Sequence, residues 1–279
     1  MASAPQRLPH LAALRISGAD RVALLQGQSS NDARKVDASH AQLTSFSSPK
    51  GRCYAIAVLA AQGETLLLVT EASVAPALAK KLAMYVLRSK AKVELAQDIA
   101  VCGGPSNAPA WSVGTEGEAL AIAIPGARRL LLVASPSAAG FSDGSAAWRL
   151  ADIAAGIPTV TAETAEHFVP LWLGLEPLGA IDFKKGCYTG QEIVARTHYL
   201  GQAKQQLHRG RSEAAATPGT KLYAGTDQSI GAVVIAAADG AGHALLAVAR
   251  EAPAGAAISL GAVDGPRVTD LTLIDGAQA

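Results

Sequence analysis

The chain has 279 residues, 49% of them hydrophobic and 17% charged, with 24 Lys and Arg against 23 Asp and Glu and a formal net charge of +1. That length predicts two or three domains rather than one core. The balanced charge excludes a protein that grips nucleic acid by bulk electrostatics, which needs a strongly basic surface. Cys53, Cys102 and Cys187 are far apart and form no CxxC, so no local zinc or iron–sulfur motif is suggested. The odd cysteine count, with no apolar signal core in residues 1–10, predicts a reducing, cytoplasmic setting. The longest apolar runs, residues 55–61 and 119–124, are too short to span a membrane. His10, His40, His167, His198, His208 and His243 show no metal-ligand spacing.

Residues 11–17 alternate as a strand, and residues 18–26 read as a helix stopped at Gly27. Ser29-Ser30-Asn31-Asp32 is a polar loop. Strands are predicted at 43–46, 53–59 and 65–70, joined by the turn Ser47-Ser48-Pro49-Lys50-Gly51-Arg52 and by Gln62-Gly63, an antiparallel succession. Ser73 is a candidate N-cap for a helix over 74–87, with Leu78, Leu82, Tyr85 and Val86 on one face and Lys80, Lys81, Arg88 and Lys90 solvated. Residues 92–95 follow as a strand, 103–109 and 114–117 as loops, then 119–124 and 130–133 as strands around Pro125-Gly126. Residues 46–133 therefore read as an α+β sandwich. Residues 135–145 read as loop or, in part, helix. A helix is predicted over 146–155, ended by Gly156-Ile157-Pro158. Residues 161–179 are irregular. Beyond Gly201, short apolar runs alternate with Gly, Pro and Asp turns, which predicts a small β-barrel. Cys53 and Cys102 fall in apolar strand-like runs and read as buried and inert.

The densest stretch is Lys184-Lys185-Gly186-Cys187-Tyr188-Thr189-Gly190-Gln191-Glu192. Thr189 to Glu192 has the spacing of a capping box, in which the Thr hydroxyl and the Glu carboxylate satisfy each other's backbone amides. A helix should then run from Gly190 to about His198. Cys187 would lie just before the positive end of its dipole, beside two lysines, a setting that lowers a thiol pKa.

Lys185-Gly186-Cys187-Tyr188-Thr189-Gly190-Gln191-Glu192 resembles the signature of the YgfZ family, folate-binding proteins related to the glycine-cleavage T-protein (an aminomethyltransferase). Leu24-Leu25-Gln26-Gly27-Gln28, Asn31-Asp32, Ser48-Pro49-Lys50-Gly51-Arg52, residues 85–90, Ala155-Gly156-Ile157-Pro158 and Leu178-Gly179-Ala180-Ile181 match that family in the right order. The resemblance implies an α+β, three-domain cloverleaf around a central hole, with two ferredoxin-like domains and a C-terminal antiparallel β-barrel. Its parts would be a discontinuous folate-binding domain (1–46 plus 135–202), an inserted α+β domain (47–134) and the barrel (203–279).

The same resemblance implies tetrahydrofolate, or another reduced folate, as ligand. It implies a role supporting iron–sulfur cluster assembly or repair and iron–sulfur enzymes such as a tRNA methylthiotransferase. Cys187 would be the essential thiol, activated by Lys185. Trp148, Lys185, Tyr188 and Gln191 are the expected folate contacts, and whether Trp148 and Cys187 line one cavity is the observation that tests the folate-plus-thiol reading. Leu11 stands where well-characterised members carry a second folate-contacting Trp, and Ala154 where T-proteins carry a Glu. Two alternatives stay open. One is a true folate-dependent aminomethyltransferase, although no acidic residue aligns with that role. The other is a non-catalytic tRNA- or protein-binding module using Lys184, Lys185, Arg196, His198, Lys204, His208, Arg209 and Arg211; the near-neutral charge argues against strong direct tRNA binding.

Overall fold

The computed structural model describes residues 4–87, 89–201, 204–253 and 255–274. Arg88, expected on a solvated helix face, and residues 202–203 and 275–279, at the bounds of expected domains, lie outside the described residues. The chain forms strands β1 (Gln6–Arg7), β2 (Leu11–Ser17), β3 (Gln42–Ser47), β4 (Cys53–Gln62), β5 (Thr65–Glu71), β6 (Lys92–Leu95), β7 (Ile99–Pro105), β8 (Val113–Glu116), β9 (Ala119–Ile124) and β10 (Arg128–Ala134). Strands β11 (Gln206–Ser212), β12 (Lys221–Ala224), β13 (Ser229–Asp239), β14 (Gly242–Ala249), β15 (Ile258–Leu260) and β16 (Arg267–Leu273) follow. The helices are α1 (Arg21–Gln26), α2 (Ala75–Ala83), α3 (Ser145–Ala155) and α4 (Gln191–Leu200).

The fold is α+β with two antiparallel sheets and a closed C-terminal barrel. The first sheet has the order β3-β4-β5-β2-β6, the second β1-β7-β10-β9-β8, and the barrel β11-β14-β13-β12-β15-β16. Period-two alternation gives the first sheet two apolar faces. Leu14, Ile16, Leu66 and Leu68 face α1 and α2, meeting Leu24, Leu25, Leu78 and Leu82. Ala13, Leu67 and Val69 face the second sheet and meet Val101, Ile122, Leu130 and Leu132. The barrel fills its interior with Leu222, Val233, Leu245, Ala247 and Leu260.

A larger apolar cluster joins these parts. It takes Leu43 and Ile56 from the first sheet, Ile153 from α3, and Leu246 and Val248 from the barrel wall. Between them lie Phe168, Leu173, Leu175, Leu178, Ala180 and Ile181. The stretch that reads as irregular in sequence is thus the packing between domains. Its turns present apolar side chains on no fixed period, so no periodic pattern announces them.

Several boundaries differ from expectation. The predicted domain break at residues 46 and 47 falls inside β3, which pairs along β4 through the 48–52 turn. Strands from both sides of that break build one sheet, because antiparallel hairpins keep sequence neighbours together. Helix α2 ends at Ala83 rather than continuing to residue 87, and Val74, without a side-chain cap, precedes it. The Ser73 hydroxyl instead accepts the Ala162 amide at 3.2 Å. Residues 103–105 and 114–116 extend strands β7 and β8 rather than loops. Helix α3 ends as predicted at Gly156, whose φ of +68° lets the amides of Gly156 and Ile157 reach the carbonyls of Ile153 and Asp152.

Candidate functional site: a clamped loop with an exposed thiol

The polar turn after α1 carries the signature loop. The Asn31 carboxamide donates to the carbonyls of Leu43 and Gly179 at 2.9 and 2.7 Å, tying the turn to the first sheet and to the approach of the signature. The Ser30 hydroxyl donates to the Ala180 carbonyl at 2.7 Å, and the Asp182 amide donates to the Ser30 carbonyl at 3.0 Å. Asp182 then accepts the Lys184 amide at 2.8 Å and pairs with Lys35 at 2.7 Å. Asp32, bonded to Arg34, is held at about 2, well below the usual carboxylate range.

Lys185 turns inward. It is 5% exposed, and its ammonium donates to the carbonyls of Gln26 and Ser29 at 2.7 and 2.5 Å. The same group lies 4.8 Å from the centre of the Tyr188 ring. The Gln26 carbonyl closes α1, where a cation is favoured, and Ser29 lies in the turn after it. Burial nevertheless pulls the Lys185 pKa down to about 8, with Asp32 and Asp182 opposing. At neutral pH it remains an ammonium. Burial also pushes the Tyr188 phenol up to about 12. Lys185 is thus a clamp between α1 and the loop, its ammonium committed to two carbonyl bonds.

The capping box is also not the one the spacing suggests. Thr189 donates its hydroxyl to Gln28 at 3.1 Å and its amide to the Gly27 carbonyl at 3.2 Å. Helix α4 starts behind Gly190, which has φ +84° and no side-chain cap. A Cβ at Gly190 would sit 2.6 Å from the Ser48 carbonyl oxygen, and one at Gly51 would sit 2.5 Å from the Ile193 Cβ. The 48–52 turn and the start of α4 therefore press together backbone to backbone, which only glycine permits. Gln191 reaches back instead, accepting the Tyr188 amide at 3.3 Å. Glu192 is exposed in the first turn, where its charge suits the helix dipole.

This scaffold leaves Gly186 and Cys187 at the surface, and Cys187 is exposed. Cys53 and Cys102 are buried, and burial drives the Cys53 thiol up to about 12 and raises that of Cys102.

Trp148 lies elsewhere. It is buried in the core between the two sheets, close against Gly103, with the Arg128 guanidinium 4.5 Å over its ring. Arg128 pairs with Asp152 at 2.9 Å; burial pushes that carboxyl up to about 6. A cavity of about 210 Å³ borders Trp148, Gly103, Arg128 and Gly144 but includes no signature residue. Trp148 and Cys187 do not share a described cavity.

The cavity that does touch the signature has a volume of about 450 Å³, and Thr189, Ser47, Lys50, Tyr54, Lys81, Met84, Tyr85 and Glu166 are among the residues that border it. Lys81 is bonded to Glu166 at 2.8 Å and lies 3.8 Å over the Tyr54 ring. That bond holds the Glu166 carboxyl below its ordinary value. The Ser47 hydroxyl is buried there without a hydrogen-bond partner. Sequence reading missed Tyr54, Lys81 and Glu166, because they come from a strand, a helix and a connecting turn with no common spacing.

The expected basic patch does not converge. Lys185 is buried, Arg209 donates to the Ala154 carbonyl at 2.8 Å, and Arg211 pairs with Asp239. His198 stacks on Phe183 at 4.0 Å and bonds Glu176. Among the described residues no group of His, Cys, Asp and Glu is placed to hold a metal ion, and no helix is long and apolar enough to cross a membrane.

No family profile matches the chain. It is 30% identical over 223 residues to the tRNA-modifying protein YgfZ of Yersinia pestis (strain Pestoides F), covering 71% of this chain and 67% of that protein. The same figures hold for the YgfZ protein of Yersinia pseudotuberculosis serotype O:3. An uncharacterized protein of Haemophilus influenzae is 31% identical over 198 residues, covering 70% of this chain and 68% of that one. The crystal structure of glycine cleavage system aminomethyltransferase T from Bartonella henselae shares the fold, with a TM-score of 0.73 at 11% identity over 97% of this chain and 84% of that one. The signature loop, the three-part α+β fold and these relatives agree that the chain belongs to the YgfZ family.

Proposed function

We propose that this protein is a cytoplasmic accessory factor that binds a reduced folate and supports iron–sulfur-dependent tRNA modification through the Cys187 thiol. The observation that carries the reading is the clamped loop: Lys185, Thr189 and Gln191 are all spent on holding its shape, and the product is one exposed cysteine. A single thiol cannot hold a cluster, so remaining ligands would come from a client enzyme such as a tRNA methylthiotransferase. The relatives named as tRNA-modifying proteins support that direction.

The cavity beside Thr189 suits tetrahydrofolate. Tyr85 offers a ring surface to a pterin or aminobenzoate, Lys50 and Lys81 offer cations to a carboxylate tail, and the partnerless Ser47 hydroxyl awaits a polar ligand atom. Trp148, Lys185, Tyr188 and Gln191 would then act on the folate only through the scaffold. A second reading, folate-dependent aminomethyl transfer, gains one feature from the fold. Glu166 places a carboxylate on the cavity lining where the sequence pointed to none, but its bond to Lys81 makes it a weak base.

Calorimetric titration with tetrahydrofolate tests the site. Lys81→Met and Tyr85→Ala should each weaken binding roughly tenfold, about one charge-assisted hydrogen bond or one aromatic contact. Trp148→Phe and Cys187→Ser should leave it unchanged, while Cys187→Ser abolishes complementation of a strain lacking the gene. Full complementation by Cys187→Ser would end the thiol reading, and unaltered folate binding in both cavity variants would end the cavity assignment.

A further inference from the structure

The turn that brings Glu166 to the cavity beside Thr189 holds it against its own preference. Glu166 has φ +65°, in the left-handed region that glycine enters freely and residues with a Cβ avoid. The other described non-glycine residues with positive φ are Trp111, Ala127 and Asp270, and none of them borders this cavity. The turn is pinned to β4 from both sides. The Glu166 amide donates to the Cys53 carbonyl at 2.8 Å, and the Cys53 amide donates to the Phe168 carbonyl at 2.8 Å. A glycine would make this turn without strain, yet the position carries a carboxylate. Strained backbone of this sort gathers where a side chain must face a ligand.

The bond to Lys81 does not account for the strain. Both side chains are partly exposed, and such pairs add little to stability. What the bond supplies is orientation. Lys81 is itself fixed over the Tyr54 ring, so the carboxylate it holds is kept in place and ionised. Glu166 is also the only acidic residue among those that border the cavity. The cavity thus has one purely accepting pole, set against the lysines and the partnerless Ser47 hydroxyl.

We propose that Glu166 is the specificity-determining residue of this cavity and accepts the two adjacent N–H donors of a 2-amino-4-oxopyrimidine ring edge. An ionised carboxylate matches that paired edge with two parallel, charge-assisted hydrogen bonds. The inference rests on the folate reading above and deepens it, since it assigns the edge of the ring that the protein reads. Guanine presents the same edge, so the chemistry has two sources, a pterin and a guanine nucleotide.

The test is calorimetric titration of the intact protein with tetrahydrofolate and, separately, with guanosine monophosphate. A matched pair, 5,8-dideazafolate and its 2-desamino-2-methyl counterpart, isolates the exocyclic donor. Wild type should prefer the member with the 2-amino group by about tenfold or more, the worth of one charge-assisted bond. Glu166→Gln should weaken tetrahydrofolate binding by about tenfold or more and narrow that preference to about threefold or less. Glu166→Gly should lose the same affinity yet melt no lower than wild type, because the left-handed turn is relieved. A residue that merely props the turn would lower both. Tetrahydrofolate binding that is equal in wild type and both variants overturns the inference and leaves the folate reading standing. Glu166-dependent binding of guanosine monophosphate alone supports the inference and ends the folate reading. Binding of neither ligand ends both, and a Glu166→Gly protein that melts well below wild type overturns the inference in favour of a structural role.

Discussion

Replacing Lys185 by Met keeps the stem and removes the charge. Two carbonyls, of Gln26 and Ser29, then lose their donor. Orphaned buried acceptors cost about 1–3 kcal/mol each, so roughly 2–6 kcal/mol together. Against this, the variant no longer holds a charge out of water. The fall from 10.5 to about 8 corresponds to a penalty of about 3 kcal/mol that the variant escapes. The two effects nearly offset at neutral pH, leaving about 1 kcal/mol of net destabilisation, so stability at one pH discriminates poorly.

The pH dependence discriminates well. The folded pKa is about 8 and the unfolded one 10.5, so between them the unfolded chain holds a proton that the fold has released. Raising the pH through that window favours the fold, and below about 8 the burial penalty is present in full. Urea denaturation followed by circular dichroism, in wild type and Lys185→Met, should show a stability gap that widens by about 2 kcal/mol from neutral pH to about pH 9.5. Other titrating groups are common to both proteins and cancel. A gap that stays constant over that range refutes the buried-ammonium clamp.

Two further outcomes follow from the same loop. Gly190→Ala should destabilise by about 2–4 kcal/mol, from left-handed strain plus the contact with the Ser48 carbonyl. Gly186→Ala, where a Cβ meets nothing within 4 Å, should stay within about 0.5 kcal/mol. Equal melting shifts in the two variants would contradict the close packing at Gly190. Titration of the native protein with a maleimide should consume one thiol, lost in Cys187→Ser, while unfolding releases Cys53 and Cys102; early modification of either buried cysteine would contradict their burial.

Much of this was legible in the chain itself. Alternation marked the strands of the first sheet and the barrel, and Gly156 marked the end of α3, because these signals are local and each residue needs only its neighbours. The signature marked the candidate loop for the same reason: glycines, a thiol and two lysines fall within a few residues. The burial of Cys53 and Cys102 also followed from their apolar surroundings.

Tertiary structure decided what each signature residue faces. Thr189 and Glu192 have capping-box spacing, yet the partner Thr189 meets is Gln28, more than 150 residues earlier in the chain. Lys185 reads as a neighbour of Cys187 but is drawn to the end of α1, since carbonyls with no intrahelical donor attract a cation more strongly than an adjacent thiol does. Trp148 reads as a ligand platform; the structure sets it against Gly103 with Arg128 over its ring, contacts that only the packing of α3 on the second sheet creates. Sequence fixes which groups are present and the local turns they make. Which of them meet across the chain is settled by how two sheets and a barrel pack, and that packing has no short-range pattern.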